Sequence, residues 1–462
     1  MELSNSVTQS KPKIILSKIN NFWYSNFYFI LIALLSFVFW LVDYSAIGMA
    51  LLLIVGTVVA FTCKDASPML PLLPLMVISV SNQNFLSSTK DLAVVIAFGI
   101  VFAIGIIYNL VHYKQKLQKG KLTLPLALVS IALICGGIGS IDATGYANGI
   151  LFIFCLGALM LVLYTYAISR MDLPNDVDHK KYFAKIVAVC AVVVCGEVIV
   201  AQLRVDGSLL DHVRASLVVG WANRASLVLA LVLGLSSVFY LAENATRFHY
   251  VWFNLGVVVY ACLMLTFGRG GMIFGTLEML AIAVYLIVKS KHKCSFLLCL
   301  ATWVLALLIG IIIKRDSIAL VLDKMLELGL NSSGRFDIYD EAIKCFLSAP
   351  LFGVGIGFVG QNTTHDFANV MFWFHSTPLQ ILASMGIFGV VCYLVYYIKR
   401  IQILKENESQ FTLFMALGII AFEIHCLIDA GTFQPFPYVF YLVIMHAFIE
   451  YDTKKKALTK IK

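Results

Sequence analysis

Charged residues are scarce in this chain. They make up 13% of the 462 residues, whereas 60% of the residues are hydrophobic. A typical soluble domain has about one quarter charged residues, so this composition excludes an ordinary soluble protein. Because backbone groups in lipid must form hydrogen bonds within the protein, recurring apolar runs of helical length predict an α-helical membrane bundle.

Signatures of cofactor and metal sites are also missing from the sequence. The eleven cysteines lie mostly inside apolar runs and lack metal-ligand spacing, which predicts neither a metal site nor an external disulfide framework. The glycines of "PLFGVGIGF" follow no strand pattern, so they do not indicate a dinucleotide site. We therefore expect no cofactor. The net charge of +8 comes largely from lysines in short loops, so it does not indicate a nucleic-acid partner.

About fourteen apolar segments of spanning or near-spanning length follow one another along the chain. They predict an all-α polytopic bundle of about 12–14 transmembrane helices. The third segment is short and proline-rich, which predicts a broken or tilted helix. The segments lie near residues 25–42, 45–62, 67–81, 92–112, 122–140, 147–168, 183–202, 225–242, 249–267, 271–289, 294–313, 379–398, 411–428 and 434–450.

Basic residues recur in every second loop, as the positive-inside rule describes. With the N-terminus in the cytoplasm, the lysine-rich loops and the basic end of the chain all lie inside. The polar start of the chain is too long for a cleavable signal. We therefore interpret residues 1–462 as one integral membrane domain, with a cytoplasmic tail at 1–23 and a basic cytoplasmic tail at 451–462.

The longest loop, 314–378, lies on the opposite, extracytoplasmic side in this topology. Loops of this length are usually functional. The apolar spacing of "SIALVLDKMLELGL" fits a helix in the membrane interface. "GRFDIYDEAIKCFLSA" predicts a second short helix that Pro350 ends.

Arginines on the extracytoplasmic side run against the positive-inside bias. Arg214 lies in the segment 202–224, Arg269 in a very short glycine-rich turn, and Arg335 in the long loop. A lone arginine there is most simply a side chain that extends towards water. Several on one face predict an anion site, because a guanidinium group binds phosphate oxygens with two parallel hydrogen bonds.

His375 begins a long apolar segment on the same side. Pro378 suits the first turn of a helix that Ser376 or Thr377 could cap. A neutral imidazole there could act as a general base, although a bond to a loop carbonyl is the simpler interpretation of a single histidine. Two further pairs have structural interpretations: Gly386 and Gly389 as packing residues on one helical face, and His425 and Asp429 as a buried polar pair.

"HSTPLQILASMGIFG" resembles the O-antigen ligase and polymerase family. The family pattern is a histidine, then Asn, Ser or Gln, nine residues, a glycine, two residues, and a glycine or threonine. Here it gives His375, Ser376, Gly386 and Gly389. "GRGGM" around Arg269 is similar to the family's Ser-Arg-Gly segment, with a glycine in place of the serine.

Two further stretches extend the resemblance to roughly residues 200–430. "SSGRFDIYDEAIKCFLSAPLFGVGIGF" is similar to the block that precedes the family's histidine. "RASLVVGWANRAS" looks like the family's Arg…Gly…Asn stretch, which would assign Arg214 and Asn223.

The resemblance implies a GT-C-like membrane glycosyltransferase that needs no metal. Such an enzyme transfers an oligosaccharide from a polyprenyl-pyrophosphate carrier to an acceptor glycan or lipid at the outer face of the cell membrane. Its partners would be this donor, the acceptor and membrane lipids. By the same resemblance, the pyrophosphate would be bound by Arg214, Arg269 and Arg335. His375 would be the base, and Asn223, Ser376 and Gln380 would support the site.

Two alternatives stay open at this stage. A ligase and a polymerase share this chemistry and differ only in the acceptor. A transporter or flippase of lipid-linked glycan would instead show discontinuous helices and charged residues near the middle of its spans.

Overall fold

The computed structural model describes residues 21–81, 89–114, 116–140, 149–215, 217, 224–330, 335–358, 373–429, 431–433 and 437–461. These residues form helices and no β-strand, which confirms the all-α prediction. Each of the fourteen predicted apolar segments coincides with helical structure. Most of the tail at 1–23 lies outside the described residues, and the last helix continues through the basic tail to Ile461.

Seventeen α-helices are described. They are α1 (Asn26–Leu41), α2 (Ser45–Thr62), α3 (Leu72–Ile78), α4 (Thr89–His112), α5 (Thr123–Cys135), α6 (Gly149–Arg170, with a π-helical turn at Phe154–Ala158), α7 (His179–Leu203), α8 (Leu209–Arg214), α9 (Arg224–Glu243), α10 (His249–Leu265), α11 (Arg269–Lys289), α12 (Lys293–Ile313), α13 (Arg315–Leu330), α14 (Arg335–Ser348), α15 (Thr377–Glu406), α16 (Gln410–Leu427) and α17 (Pro437–Ile461).

Eight of the described helices are long and apolar enough to cross a membrane: α2, α4, α6, α7, α11, α12, α15 and α16. Five further apolar segments have 10–17 residues. At about 1.5 Å per residue, segments of this length all fall short of the roughly 30 Å hydrocarbon core of a bilayer. The chain is a multi-pass membrane protein, but its described helices of spanning length are fewer than the predicted 12–14.

The third predicted segment is interrupted, as its prolines indicate. It folds as a 3₁₀ turn at Ser67–Met69 followed by the seven-residue α3. Proline removes a backbone donor and clashes with the preceding helical turn, so an unbroken span does not form here. The segment is nevertheless buried in the main hydrophobic core, to which α9 also belongs through its contacts with α7, α10 and α16.

Helix α15 is broken at Gly386, where φ is 61° and ψ is −159°. The loop 350–357 fills the break. Pro350 O and Leu351 O accept hydrogen bonds from Ile387 N (2.9 Å) and Phe388 N (3.1 Å) after the break. Gly386 therefore does not share a regular helical face with Gly389, and that part of the packing interpretation was wrong.

The two chain segments at this break satisfy each other's backbone groups. Val354 N and Gly355 N donate to Ala383 O (2.8 Å) and Ser384 O (3.0 Å), which precede the break. Unpaired backbone groups are costly in the interior of a membrane protein, so a broken helix persists only where other protein groups pair with it. The long loop thus holds the first half of α15, and His375 in front of it, in place.

Candidate functional site

His375 lies beside a carboxylate that follows the end of α16. Its Nδ1 is 3.4 Å from Asp429 Oδ1, and the two side chains are 36% and 13% exposed. Thr377 N also donates to Asp429 O (3.1 Å), so the backbone fixes the start of α15 against the same residue. This arrangement can orient the imidazole, because its Nδ1 faces the carboxylate of Asp429.

The backbone of His375 adopts a conformation that is uncommon for residues other than glycine, with φ of 46°. Tyr339 Oη donates to His375 O over 3.4 Å. The buried side chain of Gln380 accepts from Phe374 N (3.0 Å) and donates to Ser384 Oγ (2.9 Å). Strained backbone persists only where surrounding contacts over-determine it, and these bonds supply such contacts.

Ser376 and Gln380 therefore face the protein interior. Ser376 is the N-cap residue of α15, but its side chain forms no capping hydrogen bond, contrary to the prediction. Its backbone carbonyl accepts from Gln380 N (2.8 Å). Both residues are at most 4% exposed, so the described geometry makes them supports of the His375 backbone.

Arg335 reaches the same place from the long loop. It is the first residue of α14, and its Nη1 donates to Ile428 O over 2.8 Å. Tyr339, which contacts His375, lies one turn later on the same helix. The long loop thus brings a guanidinium group and a phenol to the segment 425–429.

The turn that carries Arg269 also abuts the segment 425–429. A β-carbon on Gly270 would lie 2.9 Å from His425 Nε2 and 3.2 Å from Ile428 Cδ1, so only glycine fits without displacement. Arg269 itself is exposed at the start of α11. Phe267, two residues earlier, has a φ of 49°. The close packing of glycine against His425 places Arg269 next to the chain segment that contacts both His375 and Arg335.

Arg214 is exposed at the end of α8. The neighbouring His212 pairs through Nδ1 with Gln202 Oε1 (3.0 Å), and Gln202 Nε2 donates to Leu265 O (2.9 Å). These bonds attach α8 to the end of α10, just before the turn of Arg269. Asn223 lies outside the described residues.

Asp429 and Tyr339 were missed as site residues by the sequence interpretation. In the sequence, the spacing of four residues favours a pair of Asp429 with His425. The helix ends at Leu427, so Asp429 leaves the helical face and its carboxylate lies against His375. The sequence did contain a signal for Asp429, since an acidic residue directly after an apolar segment is unusual. The sequence contained no such signal for Tyr339, because this residue contacts the backbone carbonyl of His375 and not a particular side chain.

The described site combines cations with a carboxylate-held imidazole. Among the described residues, no group of three or more His, Cys, Asp or Glu side chains is arranged to hold a metal ion. Exposed guanidinium groups can bind a polyanion, and an imidazole held by a carboxylate can accept a proton.

Residues 253–394 match the family model for O-antigen ligase. The match includes Arg269, Arg335 and His375, and it ends before Asp429 and begins after Arg214. This part of the chain is therefore an O-antigen ligase domain within a multi-pass membrane protein, as the histidine pattern predicted. No curated protein matches the chain.

Proposed function

We propose that this protein transfers an oligosaccharide from a polyprenyl-pyrophosphate carrier to an acceptor glycan or lipid at the outer face of the cell membrane. The observation that carries the proposal is the convergence of three elements of the matched stretch 253–394, namely His375, Arg335 and the turn of Arg269, on the segment 425–429, which contains Asp429. This constellation joins a base to cations, which are the two elements that the transfer needs.

In the proposed reaction, the acceptor hydroxyl oxygen attacks the anomeric carbon of the donor sugar. The bond between that carbon and the pyrophosphate oxygen breaks, and pyrophosphate leaves on the polyprenyl carrier. His375 Nε2 accepts the proton of the hydroxyl group, while Asp429 holds Nδ1–H and stabilises the imidazolium. Arg269 and Arg335, with Arg214 at the rim, balance the charge of the leaving group.

Two features of the structure match what a transporter of the same lipid would show. Helix α15 is discontinuous, and Arg400 Nη1 pairs with Glu423 Oε1 over 2.6 Å inside the bundle. In both features, the polar groups are bonded to other groups of the protein. The broken ends pair with the loop 350–357, and the arginine pairs with the glutamate and lies over the rings of Tyr396 and Tyr397. Neither therefore offers a free group to a cargo, and this favours transfer over transport.

Arg269→Ala is expected to lower transfer by about 10²–10³-fold, because it removes a cation that faces the developing negative charge. The assay supplies purified protein in liposomes with a polyprenyl-pyrophosphate oligosaccharide and measures both longer carrier-linked chains and transfer to a foreign acceptor. Arg247→Ala is the matched control, since Arg247 is exposed in a short turn between two other helices. Wild-type activity of Arg269→Ala would contradict the assigned site, and lipid translocation without a new glycosidic bond would establish transport.

Asp429→Asn is expected to lower kcat by about tenfold or more with little change in KM, because the carboxylate orients and stabilises His375 without contacting the donor. Steady-state kinetics in the same liposomes would measure both constants. Asp337→Asn, on the exposed face of α14, is the control that removes one carboxylate near the site. A raised KM with unchanged kcat would show that Asp429 acts in binding.

A further inference from the structure

Helix α14 presents an apolar surface that no described part of the protein covers. Its buried side, with Ala342 and Cys345, packs in a cluster with Ala383 of α15. A second side carries Asp337, Asp340, Glu341 and Lys344, and helical spacing places Asp340 beside Phe336 and Ile343. Between them lies the surface that we name the α14 stripe: Phe336 (69% exposed), Ile343 (40%) and Leu347 (66%), followed by Leu351 (58%).

The α14 stripe runs into the lipid-facing side of α15. Leu351 O accepts from Phe388 N, and the neighbouring Ile387 is 52% exposed. From Ile387 onward, exposed apolar side chains recur every three or four residues along this helix of spanning length, each 51–54% exposed: Ile387, Val391, Leu394, Ile398 and Ile401. An exposed row of this kind on a spanning helix faces acyl chains. The stripe therefore continues a surface that is already in lipid.

From this continuity we propose that α14 is a membrane-embedded helix whose stripe lies among the acyl chains of the leaflet on the side of the site. A helix with one apolar and one charged side is the form that lies in the plane of a bilayer interface. A second protein is a poorer occupant, because a stable protein interface uses about 20–30 residues on each side and the stripe offers four. The inference does not depend on the proposed transfer reaction.

Embedding of α14 would set the depth of the site in the membrane. Arg335 and Tyr339 lie on this helix and contact Ile428 and His375. A helix anchored by its apolar side holds its polar neighbours at the level of the lipid headgroups. The cation and the base would then meet the phosphates of a membrane lipid without drawing it out of the bilayer.

Spin labels on the full-length protein in phosphatidylcholine liposomes test this placement. Labels are attached at Phe336→Cys and Leu347→Cys, with Asp337→Cys and Lys344→Cys as controls on the charged side of the same helix. Each is made in a Cys294→Ser background, because Cys294 is the cysteine that is exposed in the structure. Burial raises the pKa of the Cys345 thiol to about 12, so this native cysteine of α14 stays unreactive at neutral pH. The collision rates with oxygen, which enriches in lipid, and with a water-soluble nickel chelate are measured for each label.

We expect the ratio of oxygen to nickel collisions to be severalfold higher at 336 and 347 than at 337 and 344. Equal ratios at all four positions, with free access of the nickel chelate, would overturn the proposal and place α14 in water. Low collision rates with both reagents at 336 and 347 would also overturn it, since they would show that protein covers the stripe. These measurements need no substrate, so their outcome does not depend on the result of the transferase assay.

Discussion

Replacing His375 with alanine is expected to lower glycosyl transfer by about 10²–10⁴-fold, the usual contribution of a general base. The donor already carries a good leaving group once its charge is balanced, so the remaining task is to remove the proton from the acceptor hydroxyl. In the structure, His375 is the imidazole that a carboxylate holds beside Arg335 and the turn of Arg269. Initial rates with a polyprenyl-pyrophosphate oligosaccharide and an acceptor would measure the loss.

His112→Ala is the matched control for this experiment. His112 is an exposed histidine at the end of α4, so its replacement removes an imidazole without touching the site. It is expected to retain the wild-type rate. Binding of the donor by His375→Ala should also be near that of the wild type, since the arginines remain. A His375→Ala variant that transfers at the wild-type rate would show that the base lies elsewhere.

Gly386→Ala is expected to destabilise the protein by about 3 kcal/mol, a large effect for a single methyl group. The backbone at Gly386 has a positive φ and an extended ψ, a region that is essentially restricted to glycine. A β-carbon there would lie 2.5 Å from Leu351 C and Pro350 O, which are backbone atoms that cannot move without breaking the interlocked loop.

The midpoint of thermal unfolding in detergent would measure this change. Gly310→Ala is the control, because Gly310 lies within α12 and a β-carbon there would meet no atom within 4 Å. Alanine is the better helix former by about 1 kcal/mol, so the control is expected to keep or raise the midpoint. If both variants unfolded at the wild-type temperature, α15 would be able to continue through residue 386 as a regular helix.

Much of the fold could be predicted from the sequence, because each membrane helix is a continuous apolar segment that is visible in the sequence. Each of the fourteen apolar runs coincides with helical structure, and the short helix before Pro350 is α14. The spacing of prolines predicted the interruption of the third segment. The number of spans was harder to predict. Helices of 13 and of 21 residues both appear in the sequence as apolar runs, although their lengths differ by about 12 Å.

The candidate site was predictable in part. Arg335 and the glycine-rich turn of Arg269 were predicted because arginines are unusual on the extracytoplasmic side of the predicted topology. His375 was predicted because a histidine is unusual directly before an apolar run. The structure then brings these elements to the segment 425–429. The contact of Asp429 with His375 was missed because spacing along a helix cannot show that the helix ends at Leu427, two residues before this carboxylate.

By itself, then, the sequence determined that the chain is an all-helical membrane protein, where its helices lie, and which unusual polar residues a site would use. Each of these depends on composition or on local spacing. Only the tertiary structure decided that Asp429 holds His375, that the loop 350–357 fills a break at Gly386, and that α14 has an apolar stripe that none of the described residues covers. These features arise from contacts between segments that are distant in the chain, and no local pattern specifies such contacts.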